Sequence, residues 1–130
     1  MVVDTSALVA HVLGEPEGDR VLAALEQDTG VALSAASLLE CVMVLTGRRG
    51  EQAVAVLDRL LARLGVAIVP VTEEHITIAR RGFLAFGKGR HPAALNFGDC
   101  FSYALAIERG EPLLFVGNDF SQTDVKAATY

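Results

Sequence analysis

Asp4, Glu40, Asp99 and Asp119 each stand where a short apolar run ends or a helix begins. Asp4 follows Val2-Val3, Glu40 comes soon after Val31-Ala-Leu33, and Asp119 lies just past Leu113-Leu-Phe-Val116. Asp99 sits in the first turn of a helix opened by Asn96. Each has an ordinary explanation. Asp4 can cap a helix, and Ser37-Leu-Leu-Glu40 has capping-box spacing. Asp99 can face the positive end of its helix dipole, and Gly117-Asn-Asp119 is good turn chemistry. Strand ends and helix starts of this kind nevertheless share one edge of an α/β sheet. Four carboxylates meeting there would raise one another's pKa unless a cation neutralised them. A ligand set of oxygens without His or Cys selects a hard ion, Mg²⁺ or Mn²⁺ in its place. The chemistry such an ion suits is phosphodiester hydrolysis by an activated water attacking in line.

The elements that must position these acids follow from the apolar pattern. Val2-Val3 begins a strand, and a helix opens at Thr5 or Ser6 and runs through Leu13 to the break at Gly14-Glu-Pro-Glu-Gly18. A second helix is expected over Asp19 to Asp28, a strand over Val31 to Leu33, and a helix from about Ser37 to Thr46 closed by Gly47. Glu51 to Leu64 is amphipathic, with Val54, Leu57, Leu61 and Leu64 on one face. A strand over Val66 to Val71 leads to Thr72, which caps a helix reaching about Phe86. From Phe97 to Ile107 nearly every position is apolar or small, so that helix should be buried on most sides, with Gly110 as its left-handed stop. Leu113 to Val116 reads as a parallel strand covered on both faces, and Val125 to Ala128 as a short last one. Alternating strands and helices over the whole length predict an α/β fold in three layers, α/β/α, around a mostly parallel sheet of four to five strands.

Composition narrows the class. At 130 residues the chain is expected to form one domain, residues 1–130, with a core that needs no disulfide or metal. Hydrophobic residues make up 52% and mean hydropathy is +0.39, more apolar than a small soluble monomer requires, so a partner surface is expected. No apolar run is long enough to span a membrane. The opening residues show no signal pattern, and Cys41 and Cys100 lack Cys-x-x-Cys spacing, so the expected setting is cytoplasmic, with buried thiols. A net charge of −5 argues against a protein that coats nucleic acid generally. Four of the eleven Lys and Arg residues, Arg80, Arg81, Lys88 and Arg90, nonetheless cluster before the Asp99 helix. The loop Gly87-Lys-Gly-Arg-His-Pro92 is therefore expected to contact phosphate.

Five segments together resemble the PIN-domain ribonucleases, specifically VapC-type toxins of bacterial type II toxin–antitoxin pairs. They are Val3-Asp-Thr-Ser-Ala7, Ser37-Leu-Leu-Glu40, Gly87-Lys-Gly-Arg-His91, Leu95-Asn-Phe-Gly-Asp-Cys-Phe-Ser-Tyr-Ala104 and Leu113-Leu-Phe-Val-Gly-Asn-Asp-Phe120. The resemblance implies a PIN-like fold and a Mg²⁺-dependent endoribonuclease, usually dimeric, silenced by a cognate antitoxin. It carries the catalytic and metal-holding roles onto Asp4, Glu40, Asp99 and Asp119, with Asp124 as the alternative fourth acid. Thr5 and Ser6 would line the site, and Lys88, Arg90, His91 and Asn118 would meet the RNA substrate. Two other readings compete: a catalytically silent PIN-like binding module, and a receiver-like phosphoacceptor domain. The latter wants an Asp after the third strand and a Lys after the last, where this chain has Val71-Thr72 and Asn118-Asp119.

Overall fold

The computed structural model describes all 130 residues. In chain order the elements are β1 (Val2–Val3), α1 (Thr5–Val12), α2 (Gly18–Gln27), β2 (Ala32–Ser34), α3 (Ala35–Arg49), α4 (Glu51–Leu64), β3 (Ala67–Val69), α5 (Glu73–Phe86), α6 (Phe97–Arg109) and β4 (Leu113–Leu114), followed by a 3₁₀ turn at Phe120–Gln122. The four strands form one parallel sheet in the order β3-β2-β1-β4. The chain leaves β1 for β2 and β3 on one side and returns to β4 on the other. The strand order therefore reverses at β1 and β4, whose carboxyl ends are where open α/β sheets place ligands.

Alternation along the strands divides the core. Val3, Leu33 and Leu114 point to one face and pack with Leu8, Leu25, Leu45 and Leu57 of α1 to α4. Val2, Ala32 and Leu113 point to the other, against Ile78 of α5 and Ala104 and Leu105 of α6. This is the expected α/β/α arrangement, with four strands where four to five were expected. No helix is long and apolar enough to cross a membrane.

Several local expectations change. Helix α3 begins at Ala35 and passes through Gly47 to stop at Gly50. One exposed glycine costs a helix only about 1 kcal/mol, less than the packing of α3 on its neighbours returns. Ser34 is the residue before the helix, so Ser37 is already inside it, and the Ser37–Glu40 capping box does not form. The segment expected as a last strand makes a single parallel bridge, Leu113 to Ala127. Helix α6 is capped by Asn96 and ends at Gly110 with φ +63°, as its sequence predicts. Its first turn departs from expectation: Phe97 is 81% exposed.

Candidate active site

Asp4 is the fixed point of the site. It is only 3% exposed, at the carboxyl end of the central strand β1, where its N–H donates to the Leu114 carbonyl across the sheet. Its Oδ2 accepts from the Ser6 N–H at 2.9 Å and the Ser6 hydroxyl at 2.6 Å. Asp4 thus caps α1 as its position predicts. Ser6 Oγ in turn accepts the Val116 N–H at 3.1 Å, which ties the chain after β4 to the same carboxylate.

The other oxygen is held from across the fold. Asp4 Oδ1 accepts the Ser102 hydroxyl of α6 at 2.6 Å, and Ser102 Oγ lies 3.1 Å from Ser37 Oγ of α3. Ser102 gives its one proton to Asp4, so Ser37 donates to Ser102. The Thr5 hydroxyl donates to the Ser37 carbonyl at 3.0 Å. Ser102 is 0% and Ser37 1% exposed, so water does not compete for these bonds.

The remaining acids gather around this frame. Glu40 lies on α3 one turn beyond Ser37, with its carboxylate against Gly98 of α6, where a Cβ would collide with it. Burial raises the Glu40 pKa, and the charge of Asp4 adds to the rise. Asp99 is one turn before Ser102. It completes a capping box: its backbone N–H donates to Asn96 Oδ1, and its Oδ2 accepts the Asn96 N–H, both at 2.9 Å. Burial pushes the Asp99 pKa up to about 6, the Asn96 N–H opposes that, and the charges of Asp4, Asp119 and Glu40 push it further. The capping role and the crowding of like charge therefore coexist on one side chain. Asp119 is exposed, in the turn before Phe120–Gln122. No three of these side chains are drawn together into a closed ligand cage. They share a field, and their donors are all hard oxygens.

The remaining residues singled out in the sequence are placed as follows. Thr5 and Ser6 line the frame through the bonds above. Asp124 is directed elsewhere: it accepts the Tyr103 hydroxyl at 2.8 Å. Asn118 is exposed, and its carbonyl accepts from the Ser121 hydroxyl. In the basic loop Lys88 is exposed, and Arg90 Nε donates to the Leu84 carbonyl at 3.2 Å, leaving the rest of its guanidinium without an acidic partner. His91 is half-buried, edge-on to Phe86 at 5.2 Å, and its Nδ1 accepts the Ala93 N–H, so the ring holds the loop together. The two ends of the loop pair, Gly87 at the end of α5 with Leu95 just before the cap of α6.

Sequence reasoning missed Ser102 and Gly98. The signal available was spacing: a serine three residues after Asp99 in an otherwise apolar helix shares its face, and a glycine beside Asp99 marks a close approach.

Fold and site together define a parallel α/β protein with four neighbouring carboxylates at the carboxyl edge of its sheet. A model of the PIN domain family matches residues 1–126. Ribonuclease VapC36 of Mycobacterium tuberculosis is 49% identical over 127 residues, 97% of this chain and 91% of that protein. Ribonuclease VapC of Mycolicibacterium smegmatis is 47% identical over 127 residues, 98% of each. Among solved structures, Mycobacterium tuberculosis VapC20, described as a sarcin-ricin loop cleaving toxin, is similar with a TM-score of 0.78 at 22% identity, over 98% of this chain and 97% of that one. The chain belongs to the PIN domain family, and its close relatives are VapC ribonucleases.

Proposed function

We propose that this chain is a Mg²⁺-dependent endoribonuclease, the toxin of a toxin–antitoxin pair, acting in the cytoplasm. The observation that carries the reading is the crowding of Asp99 by Asp4, Glu40 and Asp119 where the strand order reverses. Asp4 and Asp99 are the firmest ligands for the ion, with Glu40 and Asp119 completing the oxygen set. When bound, Mg²⁺, or Mn²⁺ in its place, supplies the positive charge that activates water and offsets charge on the phosphate. The protein's own part is positioning. Ser6 and Ser102 hold Asp4, Asn96 holds Asp99, and Gly98 leaves room for the Glu40 carboxylate. Asn118 and Asp119 are exposed beside the other acids, on the side from which a single strand of RNA would enter. The test is cleavage of a mixed RNA pool by wild type with Mg²⁺, abolished by EDTA and by Asp4→Ala. No cleavage under any condition would contradict the reading and leave a silent binding module.

Lys88 and Arg90 draw the RNA backbone toward the site. With both changed to alanine, RNA binding should weaken and the slope of log affinity against log salt should flatten by about 1.4, since each phosphate contact on a single strand contributes about 0.7. Filter binding at several salt concentrations checks this, and an unchanged slope would remove the loop from the interface.

The apolar surface beside the site is read as the partner face. Two grooves of about 480 and 420 Å³ meet at Phe97 and Phe101; Leu39 and Met43 line the first, Ile76 and Phe83 the second. Leu39 is 60% and Met43 65% exposed, more apolar surface than a lone small protein usually leaves open. A homodimer and an amphipathic antitoxin segment are the proposed occupants. Sedimentation at micromolar concentration should give the dimer mass, and a monomer alone would count against self-association.

A further inference from the structure

Asp4, Thr5, Ser37 and Ser102 close a ring. Ser37 Oγ donates to Ser102 Oγ, Ser102 Oγ to Asp4 Oδ1, and Thr5 Oγ1 to the Ser37 carbonyl; the peptide bond from Asp4 to Thr5 completes the circuit. The ring spans β1–α1, α3 and α6, and two of its members sit one helical turn from the other acids. Ser37 precedes Glu40 by three residues on α3, and Ser102 follows Asp99 by three on α6, so each serine shares a face with its acid. The Ser37–Ser102 bond and the contact of Glu40 with Gly98 are then two rungs between the same pair of helices. Two serines buried in an apolar helix–helix contact contribute little there by packing. Their value is orientation: with a hydroxyl on each oxygen of Asp4 and the Ser6 N–H also on Oδ2, the carboxylate plane is fixed and the second lone pair of Oδ1 is left without a protein donor.

We propose that Ser102, oriented by Ser37, is a positioning residue for Asp4, and that the Asp4–Thr5–Ser37–Ser102 ring sets the relative placement of Asp4, Glu40 and Asp99. The inference rests on the cation-site reading above. Neither serine touches the ion or the substrate; each acts through the acid it holds, as outer hydrogen-bond partners of metal ligands do.

The test is Mn²⁺ titration followed by electron paramagnetic resonance, on wild type, Ser102→Ala, Ser37→Ala and the double variant, with folding checked by circular dichroism. Ser102→Ala should bind Mn²⁺ at least about tenfold more weakly. Ser37→Ala should show a smaller loss, because Ser102 still donates to Asp4. The double variant should be no weaker than Ser102→Ala alone, since Ser37 acts through Ser102. In steady-state cleavage of RNA by Ser102→Ala, kcat should fall while KM stays near the wild-type value. If Ser102→Ala does not fold, Ser37→Ala decides by itself. Folded serine variants that bind Mn²⁺ as tightly as wild type would show that the ring only holds the fold together, overturning the proposal and leaving the cation site intact. Wild type that binds no Mn²⁺ would overturn both.

Discussion

Asp99→Asn should abolish RNA cleavage and yet leave the metal-free protein at least as stable as wild type at neutral pH. Two effects compete. The substitution removes a charge from the first turn of α6, a loss of about 0.3–1 kcal/mol, while the amide oxygen can still accept the Asn96 N–H. Against this, burial and three neighbouring carboxylates push the Asp99 pKa up to about 6. Each unit of such a rise corresponds to about 1.4 kcal/mol against the ionised form, discounted here because the group is partly solvated. For an acid whose folded pKa is raised, the stabilising contribution is full below the unfolded value and lost as pH rises through the folded one. In EDTA, therefore, wild type should lose melting temperature relative to Asp99→Asn as pH rises from about 4 to 7. Melting curves across that range check the sign, and a growing wild-type advantage at pH 7 would contradict it.

Gly98→Ala should separate function from folding. Gly98 is the second residue of α6, so alanine gains less there than the about 1 kcal/mol it has over glycine in a helix interior, and the three nearest atoms its Cβ would meet all belong to the Glu40 carboxylate. That carboxylate is the far end of a flexible side chain, so it swings aside at small cost to stability. It then no longer stands beside Asp4 and Asp99. The expected result is an unchanged or slightly raised melting temperature with kcat lowered about 100-fold or more, the scale of losing one well-placed charged group. Gly98→Ala with wild-type activity would mean that Glu40 contributes nothing from where it lies.

Much of this architecture is written locally in the chain. Alternating apolar runs and helix caps reveal the layers, the start of α1 at Asp4-Thr5, and both ends of α6 at Asn96 and Gly110, because each depends on neighbours in sequence. The four acids are legible for the same reason: each follows a strand end or opens a helix. What escapes depends on contacts between distant segments. Ser37 looks like half of a capping box until α6 brings Ser102 to it across 65 residues. Asp119 matches the family motif better than Asp124 five residues on, and only the fold shows that Asp124 accepts the Tyr103 hydroxyl. Phe97 looks like core by its composition, yet it lies on the exposed side of its helix, beside other apolar residues that the fold leaves open.

Asp4, Glu40, Asp99 and Asp119 are proposed to act together as a single cation site. The direct measurement is the melting temperature of wild type and Asp99→Asn, each in EDTA and in excess Mg²⁺. A ligand stabilises only the state that binds it, by about 2.7 kcal/mol at a hundredfold excess over Kd. Wild type should therefore gain several degrees on adding Mg²⁺, and Asp99→Asn little or nothing. Equal gains in the two proteins would contradict the claim, because Asp99 would then hold no ion.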